Sequence, residues 1–154
     1  MQTPIERDIN LRQIAKMKFD WLLGAAFLAA PFYWWAITLF VSPAPESGTD
    51  PIRLLLLVLV YPMLEEIAFR GALQGWLRGK SWGLWHRCDV TSANILTSIV
   101  FAAFHFIRRP NIWSVGVIFP GLVFGFFRDR YGNLYAPIAL HIFYNSGLIW
   151  LFRV

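Results

Sequence analysis

Three short groups of polar residues interrupt otherwise apolar sequence: Glu65-Glu66-x-x-x-Arg70, then His105 at the end of Phe101-Ala-Ala-Phe-His105, then His141-x-x-x-Asn145. A carboxylate, two imidazoles and an amide can do hydrolytic chemistry. One group takes a proton from water, and the others donate toward a developing negative charge. Glu66 and Arg70 stand four apart with the acid on the N-terminal side, the better orientation for a helical ion pair, so Arg70 is expected to neutralise Glu66. Glu65 lies about 100° further round the helix, without a local partner, and is the candidate general base facing a polar cavity. Asn145 falls one turn after His141 on the same face.

The elements that must position these groups follow from composition. Apolar residues make up 57% of 154 positions and charged residues 15%, too few to cover a water-soluble surface. The run from Trp21 to Val41 carries no charge, and a bilayer needs roughly 20 such residues. It is too long for the apolar part of a signal peptide and is read as an uncleaved anchor. Five spans are predicted, at about 21–41, 54–77, 92–110, 112–127 and 133–152, in an all-α, polytopic integral membrane helix bundle. Residues 1–20 form an N-terminal cytoplasmic or interfacial segment and 21–154 the bundle. Pro43 to Pro51 reads as a turn-rich loop, 79–89 as a polar connection, and there is no internal repeat.

An ionisable side chain near the centre of a membrane helix costs roughly 2.5–3.5 kcal/mol on insertion scales and marks a functional position by default. With about 1.5 Å rise per residue and a core of about 30 Å, Glu65 lies roughly 17 Å below one boundary. His105 and His141 lie roughly 18 and 12 Å above the other, so all three can meet near mid-membrane. Pro62 and Pro137 precede Glu65 and His141 by three and four residues, and each is expected to free a carbonyl and permit a kink.

The net charge of +5 does not indicate nucleic acid, because the basic residues sit in short loops between apolar blocks. With the N-terminus cytoplasmic, nine fall on that side, namely Arg7, Arg12, Lys16, Lys18, Arg78, Lys80, Arg87, Arg128 and Arg130. Four fall opposite, Arg53, Arg108, Arg109 and Arg153. A re-entrant third segment would move Arg108 and Arg109 to the majority side. Cys88 has no internal disulfide partner and there is no Cys-x-x-Cys pair. His86 reads as a solvated loop residue, Gly121 and Gly125 as a close-packing face, and Phe101 as a support for His105. Trp34, Trp35, Trp82, Trp85, Trp113 and Trp150 read as interface anchors.

The ordered trio of motifs, each inside an apolar segment, resembles the CAAX prenyl protease and bacteriocin-processing family of membrane glutamic endopeptidases, over roughly residues 54–150. Carried onto this sequence, the resemblance implies that Glu65 activates a water with help from His105, and that His141 and Asn145 stabilise the oxyanion. Glu66 and Arg70 support them, with no metal and no cofactor. It implies a membrane-anchored protein or peptide substrate within the bilayer, at a bacterial inner membrane, in protein maturation or removal of a C-terminal sorting signal. Three other readings of the same residues stay open. One is a proton relay or polar clamp. Another is a zinc peptidase using His105, His141 and Glu66, although neither His-Glu-x-x-His nor its inverse occurs. The third is a non-catalytic immunity or peptide-binding protein.

Overall fold

The structure, a computed structural model, describes residues 20–40, 50–110 and 112–152. The N-terminal segment through residue 19, most of the loop from Pro43 and the Arg153 of the charge count lie outside them, as does the Trp113 side chain. The described chain is helical apart from one small hairpin. Helix α1 is Trp21–Thr38. Helix α2 runs continuously over 51–78, with α-helical stretches Pro51–Leu55, Tyr61–Glu66 and Gln74–Arg78 alternating with wider π-helical ones, Leu56–Val60 and Ile67–Leu73. After a hairpin of β1 (His86–Arg87) and β2 (Val90–Thr91) come α3 (Ser92–Arg108), α4 (Ile112–Gly116), α5 (Ile118–Tyr131) and α6 (Tyr135–Phe152).

The helix starts follow from local chemistry. Asp20, Asp50 and Thr91 each place a side-chain oxygen on a free amide of the first turn, those of Leu22, Ile52 and Asn94. Helix α5 ends at Gly132, whose φ of 71° is the left-handed cap conformation that glycine adopts without strain. The predicted spans coincide with these helices, the fourth divided into α4 and α5. One detail differs. The 79–89 connection leads into an antiparallel ladder pairing His86 with Thr91, turned by Cys88 and Asp89 at positive φ. The third segment is a single helix, Ser92–Arg108.

Polarity is distributed the opposite way from a water-soluble bundle. Leu28, Phe32, Leu55, Leu64, Ile107 and Phe119 stand exposed, while Glu66, Arg70, Gln74, Asn94, Thr97 and Ser98 are wholly buried. Such an apolar exterior suits lipid, and buried polar groups in lipid must satisfy one another. By length and apolarity alone, α1 is the one described helix sufficient to cross a membrane, and α3 is apolar but shorter. Helix α5, with 14 residues, is too short, and α2 is divided into α-helical and π-helical stretches and carries Glu65, Glu66 and Arg70.

The interior is stitched through the backbone of α5. Arg70 Nη2 donates to the Gly121 carbonyl at 3.0 Å, Gln74 Nε2 to that of Gly125 at 3.0 Å, and Asn94 Nδ2 to that of Leu122 at 2.9 Å. Gly125 makes this possible, because a Cβ there would overlap the Asn94 amide. Gly125→Ala is therefore expected to destabilise the protein by about 1–3 kcal/mol through overpacking. Thermal unfolding of the purified variant checks this, and an unchanged midpoint would show that α3 and α5 separate freely.

At one end of the bundle Asp129 joins three elements, accepting from Gln74 Nε2 at 2.9 Å and Thr91 Oγ1 at 2.6 Å, with Arg78 Nη1 at 3.4 Å. Helix α1 is fastened to α6 and α5. Trp34 donates its indole N–H to the Tyr144 carbonyl at 3.0 Å, its ring lying in the notch left by Gly147, and the Tyr144 hydroxyl donates to the Ala26 carbonyl. Trp34 is thus an inter-helix knob and not the interface anchor expected from sequence. Asp20 accepts from Arg130 Nε and the Tyr131 hydroxyl. Burial opposes ionisation of Asp20, but the hydrogen bonds from Arg130, Tyr131 and the Leu22 amide bring its carboxyl below the ordinary 3.8. Burial, together with the carboxylate it serves, pushes the Tyr131 phenol up to about 12.

Candidate active site

Glu65, His141 and Asn145 come from the interior of their helices, and His105 from the last turn of α3. Pro62 lacks an N–H, and its ring would collide with the carbonyl four residues back in a regular α-helix. The chain widens before it, so the Tyr61 N–H reaches the Leu56 carbonyl, five residues back. A second wide stretch follows Glu66, ending where the Gln74 N–H meets the Phe69 carbonyl. Wide turns of this kind are uncommon and concentrate at functional sites. The two glutamates sit between them and point different ways.

Glu66 faces inward. Its Oε1 accepts from Arg70 Nη1 at 3.2 Å and from His141 Nδ1 at 2.7 Å, and neither the Glu66 nor the Arg70 side chain has any exposed surface. The expected Glu66–Arg70 pair is present, and the His141 contact, which spacing along one helix could not reveal, joins it. Arg70 also lies over the Phe101 ring, 4.5 Å from its centroid, an arrangement favourable to a desolvated cation.

Glu65 faces the two imidazoles. Its Oε2 is 3.7 Å from His141 Nε2 and 4.0 Å from His105 Nε2, and its side chain keeps 19% of its surface exposed. The tautomers follow from the partners of the other ring nitrogens. His105 Nδ1 lies 3.0 Å from the Phe101 carbonyl, which can only accept, so Nδ1 carries the hydrogen and Nε2 is left as an acceptor. His141 Nδ1–H is likewise given to Glu66, and the ring stacks on Phe124 with centroids 4.9 Å apart. Phe101 supports His105 as expected, through ring contact at 4.4 Å and through its carbonyl.

His105, His141 and Asn145 line one cleft, with Tyr33, Phe101, Pro120, Phe124, Tyr144, Leu148 and Val117. Asn145 Nδ2 donates to the Leu57 carbonyl of α2 at 3.2 Å. Pro137 departs from expectation. Helix α6 begins at Tyr135, so Pro137 occupies the first turn, where an amide has no helical partner to lose, and it makes no kink beside His141. The zinc trio is not assembled either. Glu66 is committed to Arg70 and His141, and among the described residues no three His, Cys, Asp or Glu side chains stand where they could share an ion. His86 is exposed in the hairpin, away from the site.

Sequence reasoning missed Gln74, Asn94, Ser98 and Asp129, which anchor the helices carrying the site. The signal was present: Gln74 continues the Glu66, Arg70 spacing by four, and Ser98 follows Asn94 by four and donates to its Oδ1 at 3.1 Å.

A buried carboxylate–arginine pair, a second carboxylate near two histidines and a largely apolar cleft beside them, under an apolar exterior, carry the residue types of a hydrolytic site. The chain belongs to the Rce1-like family of type II CAAX prenyl endopeptidases, whose sequence profile matches residues 47–147, well over half of it. It is accordingly a peptidase of the CAAX type, acting on protein or peptide in a membrane context. The matched segment contains all three motifs and excludes α1. No curated protein and no solved structure matches the chain.

Proposed function

We propose that the protein is a metal-independent glutamic endopeptidase that hydrolyses a peptide bond of a membrane-anchored substrate at this cleft. The observation that carries the reading is Glu65 Oε2 at 4.0 Å from the acceptor nitrogen of His105 and 3.7 Å from His141 Nε2. Two acceptors about 4 Å apart are spanned by one water lying about 2.8 Å from each, with roughly 90° between its two hydrogen bonds.

The step balances on these side chains. Glu65, aided by His105 Nε2, takes a proton from the water as its oxygen bonds to the scissile carbonyl carbon. The carbonyl electron pair moves to oxygen, where N–H groups of Asn145 and His141 donate to it. When the tetrahedral species collapses, the C–N bond breaks and the proton held by Glu65 passes to the leaving amine. Glu66 and Arg70 fix the His141 ring from behind.

The same reading places five membrane-crossing segments in a bacterial cell membrane with the N-terminus cytoplasmic, supported by nine basic residues against four. The substrate is a protein matured at the membrane, with a C-terminal sorting signal as the preferred target. The test compares protein termini in membrane and secreted fractions of cells carrying wild-type or Glu65→Gln protein. A defined set that disappears in the variant is expected. No difference at equal expression would overturn the catalytic assignment of Glu65.

A further inference from the structure

Asn145 sits in the cleft wall, yet the only hydrogen bond of its amide among the described residues runs backward, from Nδ2 to the Leu57 carbonyl at 3.2 Å. That carbonyl is open for a definite reason. In the five-residue register that takes Tyr61 N–H to Leu56, the next residue would donate to Leu57, and the next residue is Pro62, which has no N–H. We propose that Pro62 is a positioning residue for the reaction: it keeps the Leu57 carbonyl free to hold the Asn145 amide with its NH2 end presented to the cleft.

The argument is one of donor and acceptor identity. A side-chain amide has two nearly isosteric ends, and a carbonyl accepts from one end only. Turned over, Asn145 would set its oxygen against the Leu57 oxygen, two acceptors with no hydrogen between them. One N–H is therefore fixed on Leu57, and the second, without a partner among the described residues, is left as a donor on a cleft-lining side chain. A donor arranged before the oxyanion forms needs no reorganisation as charge develops. Restoring an N–H at position 62 would fill the Leu57 carbonyl from within α2 and release the amide.

The inference rests on the oxyanion role of Asn145 proposed above, and a double-mutant cycle separates the two. Full-length enzyme in lipid bicelles is assayed on a fluorogenic peptide built on a terminus found in the cellular comparison. Asn145→Ala is expected to lower kcat by about 100-fold. Pro62→Ala is expected to lower kcat by roughly 3- to 10-fold, with a smaller change in KM. In the Asn145→Ala background Pro62→Ala should then change kcat less than about 2-fold, because the group it positions is gone.

Equal effects of Pro62→Ala in both backgrounds would overturn the positioning role while leaving the oxyanion role intact. An undiminished kcat in Asn145→Ala would overturn both. Should Pro62→Ala fail to fold, side-chain amide NMR of the wild-type protein decides. One Asn145 amide proton should exchange slowly and the other rapidly, and equal, rapid exchange of both would overturn the proposal.

Discussion

Replacing Glu65 by Gln is expected to lower kcat by roughly 10²–10⁴-fold, the usual worth of a positioned acid–base group, with little effect on folding. The substitution preserves shape and removes the charge and the basic lone pairs. Its structural cost is small because Glu65 makes no contact shorter than 3.7 Å with its histidine neighbours and keeps part of its surface exposed. The comparison is made in single-turnover assays on the peptide used for the Asn145 cycle, with thermal unfolding measured beside it. A variant that keeps more than about a tenth of wild-type kcat would remove Glu65 from the mechanism, since general-base catalysis is rarely worth so little. If wild-type activity survives exhaustive metal chelation and the metal content of active protein is substoichiometric, water activation rests on Glu65 and His105 without a metal.

The second large effect concerns stability. Arg70→Met leaves Glu66 in a site with no exposed surface, its Oε1 still facing His141 Nδ1 and its Oε2 without a partner. Removing one member of a buried ion pair typically costs about 3–5 kcal/mol, because an uncompensated charge stays behind. Arg70 also supplies the hydrogen bond to Gly121 and the contact with Phe101, so the loss should fall at the upper end. The double variant Glu66→Gln/Arg70→Met removes both charges and should recover a large part of the lost stability, as neutral replacement of a buried pair often does. Unfolding in bicelles measures both. A single variant within about 1 kcal/mol of wild type would mean that water reaches Glu66 and that the pair is not dry.

Much of this arrangement was legible in the chain. The helices were readable because their apolar runs are long, and the motif residues stood out because an acid or histidine inside such a run needs a reason. The Glu66–Arg70 pair was readable because partners four apart on one helix meet whatever the tertiary structure does. What lay beyond reach depended on neighbours distant in sequence or on departures from regular geometry. His141 reaching Glu66, Gln74 reaching Asp129 and Asn145 reaching Leu57 all cross between helices, where spacing carries no information. The two wide stretches of α2 have no periodic signature, although Pro62 marked one of them. The hairpin at 86–91 escaped because its turn is made by Cys88 and Asp89 rather than the Asn-Gly pair that such a turn usually takes. Trp34 was misassigned because a tryptophan near a helix end ordinarily anchors at an interface, and the notch that receives it belongs to a glycine far along the chain.

One wall of the cleft has a different provenance from the rest. Tyr33 comes from α1, a helix outside the segment the family defines, and Trp34 beside it is the point at which that helix is keyed to α6. The wall supplied by α1 and the Glu65, His105 and His141 side chains thus sit on separate helices, so substitution of Tyr33 can reshape the cavity without replacing any of those three.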